Sequence, residues 1–94
     1  MLTGPATSIS LQQHAVRRKT SAGLTMLFDR AKGVMYELNE SASAVVALLD
    51  VTPRNISEIV DTLVDQFEAD RGEIEQDVAT FVEDFVEAGL LVRS

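Results

Sequence analysis

Few side chains in this sequence could do acid–base or nucleophilic chemistry, and their spacing does not group them. His14 is the only histidine among the 94 residues, and there is no cysteine. A lone histidine beside a polar segment is more typical of a solvated strand end than of a general base or a metal ligand. The sequence therefore predicts neither a Ser-His-Asp arrangement nor a zinc site.

Carboxylates at helical spacing offer an alternative. Asp61, Asp65 and Glu68 would lie on one face of a helix, where they could bind a cation. Such a run usually forms the solvated side of a charged helix. The five glycines are scattered and form no phosphate-binding loop. We therefore expect a protein that is not an enzyme, with no catalytic residue, no metal and no cofactor.

Length and composition predict a single folded domain. The chain of 94 residues has room for one modest core, and its hydrophobic fraction of 46% is typical of a folded protein. No segment approaches the roughly 20 apolar residues that a membrane-spanning helix needs. The N-terminus lacks the basic and apolar regions of a secretion signal. Together with the absence of cysteine, these features predict a cytoplasmic protein that does not bind a membrane.

The net charge of −7 is divided unevenly along the chain. Residues 1–36 carry five basic residues and one acid, a net charge of +4, whereas residues 37–94 carry three basic residues and fourteen acids, a net charge of −11. The acidic part would repel the phosphates of a nucleic acid. It suits a basic or neutral partner better.

The first part of the chain has the pattern of a small β-sheet. Residues 1–13 mix polar residues with isolated apolar ones, which predicts a flexible N-terminal arm. Three strands are then expected at His14–Thr20, Leu24–Asp29 and Val34–Leu38, joined by short turns that contain glycine. They would form an antiparallel meander, and the third strand leads directly into a helix.

The second part has helical periodicity. Three helices are predicted, over Ser41–Leu49, from Ser57 to Phe67 and over Glu73–Ala88, and an extended tail follows. Asn39 or Ser41 would cap the first helix. The predicted fold class is α+β: a winged-helix-like domain over residues 14–94, with a three-stranded antiparallel sheet followed by three helices.

The third helix argues against DNA as a partner, although many winged-helix domains bind it. That helix would have to enter the major groove, yet it carries no lysine or arginine and six acids, namely Glu73, Glu75, Asp77, Glu83, Asp84 and Glu87. The basic run at Arg17, Arg18 and Lys19 could contact an acidic polymer, but three adjacent charges on a strand are usually solvated. We therefore expect no nucleic-acid partner.

The third strand is the better candidate for a binding surface. Val34–Leu38 would be the edge of the sheet, and it contains no proline or inward charge that would block pairing. An extended peptide could add to it as a further strand. In the alternative, residues 1–13 or a second copy of the chain cover this edge, so the protein is expected to be a monomer or a homodimer.

The predicted strands and helices contain a set of short motifs, namely Leu27-Phe28-Asp29, Gly33-x-x-Tyr36-x-Leu38-Asn39, Ala42, Leu48-Leu49-Asp50, Ile56-Ser57-Glu58-Ile59-Val60-x-x-Leu63 and Asp77-Val78-x-x-Phe81-Val82-x-x-Phe85-x-x-Ala88-Gly89-Leu90-Leu91. In their order and spacing these motifs resemble the PqqD family, whose members are the recognition elements for the precursors of ribosomally made, post-translationally modified peptides (RiPPs). The resemblance covers residues 14–93.

This resemblance implies that the leader segment of a precursor peptide binds as an added strand on the third strand, in a groove shared with the third helix. The acids of the groove would pair with a basic leader residue, and Phe81 would help to frame an apolar pocket. Core packing is the alternative role for Tyr36, Val78, Phe81 and Phe85. The implied peptide-binding residues are Val34, Met35, Tyr36, Glu37, Leu38, Asp77, Val78, Phe81, Asp84 and Phe85.

The resemblance also implies a second partner, the modifying enzyme of the same pathway. The compact motif around Tyr36 is similar to that of free-standing leader-binding proteins from lasso-peptide pathways, which work with a leader peptidase and a cyclase. One alternative is a PQQ-type chaperone that delivers its precursor to a radical-SAM enzyme. The last alternative is a winged-helix regulator that binds DNA or protein.

Overall fold

The structure is a computed structural model that describes residues 7–94. Four strands precede the first helix in this part of the chain, and all of its strands belong to two small sheets that accompany three helices. The elements are β1 (Ser8–Leu11), β2 (Ala15–Lys19), β3 (Thr25–Asp29), β4 (Val34–Leu38), α1 (Glu40–Val51), β5 (Arg54–Asn55), α2 (Ile56–Phe67), α3 (Arg71–Glu87) and β6 (Leu91–Arg93).

The predicted meander is confirmed, since β2, β3 and β4 pair in that order and antiparallel. Leu27, at the centre of β3, lies opposite Arg17 on one side and Tyr36 on the other. Directly opposed residues of a sheet share a face, and Leu27 is fully buried, so this face is the inner one, turned toward the helices. The fold class predicted from the sequence is therefore confirmed.

A buried carboxylate shapes the turn between β3 and β4. Oδ1 of Asp29 accepts hydrogen bonds from the backbone N–H groups of Ala31 at 2.9 Å and Lys32 at 3.1 Å, while the residue itself is fully buried. The turn ends at Gly33, which has a φ of +72°. This left-handed conformation is one that glycine adopts without steric cost.

The helices begin where side chains cap them. Oδ1 of Asn39 accepts a hydrogen bond from the N–H of Ala42 at 2.8 Å, which settles the choice between two predicted caps. Asn55 and Glu58 form a reciprocal capping box, so α2 starts at Ile56 and slightly before the predicted position. Asp70 caps α3, which therefore starts at Arg71.

The prediction of a flexible arm over residues 1–13 is wrong for residues 8–11, which form β1. This strand is the middle of a second sheet, between β5 and β6, and its Ile9 is fully buried. The alternation of two apolar and two polar residues was too short to predict a strand, and both partner strands lie far along the chain. Residues 1–6 lie outside the described residues.

Two clusters of buried side chains form the core. The larger lies between the second sheet and the three helices and includes Ile9, Ile59, Leu63 and Val78. The smaller lies under the meander and is centred on Leu27. Phe81 and Phe85 of α3 pack against both clusters, so this helix joins the two sheets into one folded unit.

We expect the exchange Asn39→Ala to lower the free energy of unfolding by about 1 kcal/mol, because it leaves the N–H of Ala42 without its capping oxygen. Asn39→Ser is the matched control, since serine is an equally good cap. Urea denaturation of the three proteins, followed by circular dichroism, measures the difference. Equal stability of the alanine and serine variants would contradict the capping role.

Candidate functional site

One edge of the meander is open to an additional strand. Within residues 7–94, β4 pairs with β3 on one side and with no strand on the other. Val34 and Met35 are 40% and 48% exposed. The described part of the predicted arm does not cover this edge, because β1 lies in the other sheet. The backbone N–H and C=O groups along the open side of β4 are therefore available to a peptide.

A groove of about 370 Å³ opens beside the carboxyl end of β4, between the first turns of α1 and one face of α3. Val45 and Val78, at most 1% exposed, form part of its floor. All five residues that the resemblance implied from the third helix line this groove, and they are Asp77, Val78, Phe81, Asp84 and Phe85. The groove thus combines an apolar floor with a carboxylate rim.

Aromatic contacts attach the edge strand to this groove. The ring of Tyr36 meets that of Phe85 edge to face, with 5.2 Å between centroids, and Phe85 stacks on Phe81 at 4.5 Å. All three residues are half-buried. Phe81 and Phe85 both pack against the core and line the groove.

The other implied residues divide by exposure. Val78, which is 1% exposed, lies in the floor of the groove, whereas Leu38, which is 6% exposed, belongs to the smaller core cluster and does not line the groove. Met35 and Glu37 are exposed on the outer face of β4. Asp77 and Asp84 are exposed, and no ion pair engages either of them among the residues described. Their charge is available to a ligand.

Sequence reasoning missed four polar residues of the groove, namely Asn39, Ser41, Gln76 and Thr80. Gln76 and Thr80 precede Asp84 at intervals of four residues, so they share a face of α3 with it. That spacing was a usable signal, but attention to acids and aromatics passed over neutral side chains. Ser41 carried no signal beyond that of a possible helix cap.

His14 is not the solvated strand end that the sequence predicted. It is half-buried, and its Nε2–H donates to the carbonyl oxygen of Gly89 at 2.8 Å. The ammonium group of Lys32 lies 3.3 Å from the carbonyl oxygen of Ala88. Both side chains thus satisfy carbonyl groups at the end of α3, a position that favours donors and positive charge.

An arginine of α3 pairs with one acid of α2 and one acid of its own helix. The guanidinium group of Arg71 lies 2.8 Å from Asp61 and 3.4 Å from Glu75. The hydrogen bond from Arg71 to Asp61 is the main reason that the pKa of Arg71 is raised above its usual value. Within residues 7–94, no three histidine or acidic side chains are grouped as metal ligands. No helix of this part is long and apolar enough to cross a membrane.

Comparison of sequences assigns most of the chain to one family. The family model described as coenzyme PQQ synthesis protein D (PqqD) matches residues 25–91. These residues include β4, α3 and all of the helical groove wall. A search of curated proteins gives no significant match.

Comparison of structures agrees with this assignment. TbiB1 in complex with the TbiA(beta) leader peptide is 22% identical, with a TM-score of 0.76 over 87% of this chain and 93% of that chain. Lasso peptide synthetase B1 complexed with the leader peptide is 26% identical, with a TM-score of 0.72 over 89% and 96%. The PqqD part of Methylobacterium extorquens PqqCD, a stand-alone RiPP recognition element, is 20% identical, with a TM-score of 0.78 over 95% and 93%.

Proposed function

The chain belongs to the PqqD family, and from this premise we propose that it binds the leader of a ribosomally made precursor peptide and has no catalysis of its own. The leader adds to β4 as a further strand. The observation that carries this proposal is the open edge of β4 beside a groove lined by α3. Lasso peptide synthetase B1, which is 26% identical, is complexed with a leader peptide, and this supports leader binding by the present chain.

Two kinds of contact would contribute to recognition of the leader, one from the backbone and one from side chains. Hydrogen bonds from the backbone of β4 give affinity that does not depend on the leader sequence. Alternate side chains of an added strand point to the same face, so every second leader residue faces the groove. Phe81 and the buried floor accept an apolar residue there, whereas Asp77 and Asp84 select a basic one.

We propose that the bound leader is delivered to a leader peptidase and a cyclase of the lasso type. The likeness to lasso peptide synthetase B1, at 26% identity over 89% of this chain, supports this choice. The likeness to the PqqD part of PqqCD, at 20% identity, concerns the fold alone. It gives no separate support to a PQQ-type chaperone that serves a radical-SAM enzyme.

An NMR titration tests the proposal. The probe is the synthetic leader encoded by a precursor reading frame beside the gene of this chain, added to protein labelled with nitrogen-15. We expect the amide signals of residues 34–38 and 76–85 to shift, because the strand and the groove contact the leader. Signals of β5 and β6 should shift less, since these strands belong to the second sheet and do not pair with β4.

A scrambled leader of the same composition is the control, because it keeps the net charge and loses the order of side chains. If the leader shifts no signal in residues 34–38, strand addition to β4 is wrong. Equal affinity for the two peptides would contradict recognition by the groove.

A further inference from the structure

A second and larger cleft lies on the other side of α1 from the groove. Its volume is about 510 Å³, and it runs across the end of the meander, from β2 past the turn before β3 to the carboxyl end of β4. Small side chains on α1 leave this space open, namely Ser43, Ala44 and Ala47. Leu24, which is 45% exposed, and the half-buried Phe67 give the cleft apolar walls.

The β2 side of this cleft is basic. Arg17 and Lys19 line it, whereas Arg18 between them lies on the outer face of the sheet, 5.8 Å from the centre of the Phe28 ring. Arg17 pairs with Asp50 of α1 at 3.3 Å in an exposed contact. Lys19 forms no ion pair with any residue in the described part of the chain. Its charge is thus free to meet an anionic ligand.

The β4 side of the cleft carries the opposite charge, from Glu37 and Glu40. An acidic group would therefore settle at the β2 side, near Lys19. The groove has the complementary character, since its exposed charges are Asp77 and Asp84. The exposed charges of the groove are therefore negative, whereas the cleft carries positive charge on its β2 side.

The groove and the cleft adjoin at the start of α1. Asn39, the residue that follows β4, lines both of them. A peptide added to β4 therefore leaves the edge at the mouth of the cleft. From the added strand to β2 the distance is about 14 Å, three strand spacings, which about four extended residues can cross.

We propose that the cleft is a second recognition site for the same precursor peptide, one that takes an acidic residue about three to five positions beyond the segment added to β4. This inference rests on the proposed function and deepens it. The acidic side chain pairs with Lys19 and Arg17, while a neighbouring apolar residue packs against Leu24. The protein then recognises two residues of the peptide that have opposite charge and a fixed separation, a basic one in the groove and an acidic one in the cleft.

A pair of charge reversals on the same strand tests this site. The probe is again the synthetic leader with its continuation, and its affinity is measured by isothermal titration calorimetry. We expect Lys19→Glu to weaken binding about five- to tenfold, because it places a carboxylate where the acidic residue would lie. Arg18→Glu changes the net charge equally but faces away from the cleft, so its effect should stay below about twofold.

Two further measurements separate this site from a general effect of charge. A probe whose acidic residues in the continuation are changed to amides should bind the wild type more weakly and should no longer respond to Lys19→Glu. Ala47→Leu, which fills the cleft without changing charge, should weaken binding of the unmodified probe. Circular dichroism confirms that each variant is folded.

The outcomes distinguish this inference from the proposed function. If the probe shifts the amide signals of β4 but not those of Leu24, Ser43 and Ala47, the second site is wrong and strand addition stands. Equal losses from Lys19→Glu and Arg18→Glu would also overturn the second site. If the β4 signals themselves do not move, the proposed function fails, and this inference fails with it.

Discussion

Changing both Asp77 and Asp84 to lysine is expected to weaken leader binding by about 2 kcal/mol, which is about 30-fold in the dissociation constant. Both carboxylates are exposed on the rim of the groove, and no described residue neutralises them by an ion pair. The double exchange turns an attractive wall into a repulsive one for a basic leader residue. It should leave the fold intact, because neither side chain is buried.

A matched control lies on the same helix. Glu83 and Glu87 are also exposed, but they do not line the groove. Changing these two residues to lysine alters the net charge by the same amount, so it reports the general effect of charge on association. Isothermal titration calorimetry at two salt concentrations compares the variants. Equal weakening by both double exchanges would show that the groove does not read the charge locally.

The exchange Ile9→Ala is expected to lower the free energy of unfolding by about 3 kcal/mol. Ile9 is fully buried and belongs to the larger core cluster. A loss of this size is a large part of the total stability of a small domain, which is about 5–15 kcal/mol.

Ser10→Ala is the control, because the side chain of Ser10 points to the face of β1 opposite that of Ile9 and is only half-buried. We expect this exchange to change the stability by less than about 1 kcal/mol. Urea denaturation followed by circular dichroism measures both variants. A cost below 1 kcal/mol for Ile9→Ala would show that β1 contributes little to the core and that residues 8–11 behave as an arm.

The sequence could predict some parts of the fold and not others. The step from β4 into α1 was predictable because its determinants are local: strand alternation through Tyr36 and Leu38, then a cap at Asn39. The second sheet was not predictable in this way. Ile9 pairs with Arg54 and Arg93, and no periodicity within four residues indicates partners so distant.

The candidate site could likewise be predicted only in part. Phe81 and Phe85 were predicted as groove residues from the resemblance, and the structure adds that Phe85 contacts Tyr36 across the two elements. The cleft beyond Asn39 could not be predicted, because it exists only where small side chains of α1 face Lys19 and Leu24. Cavities of this kind depend on tertiary packing, which a linear pattern does not contain.

The position of β1 between β5 and β6 has a consequence for the order in which a newly made chain can fold. The ribosome releases β1 first, but its last hydrogen-bonding neighbour is Leu91–Arg93. Ile9 therefore cannot reach its final packing until residue 93 has left the exit tunnel. Because contacts so distant in sequence form late, the domain completes its core only after its synthesis, when both sheets are present together.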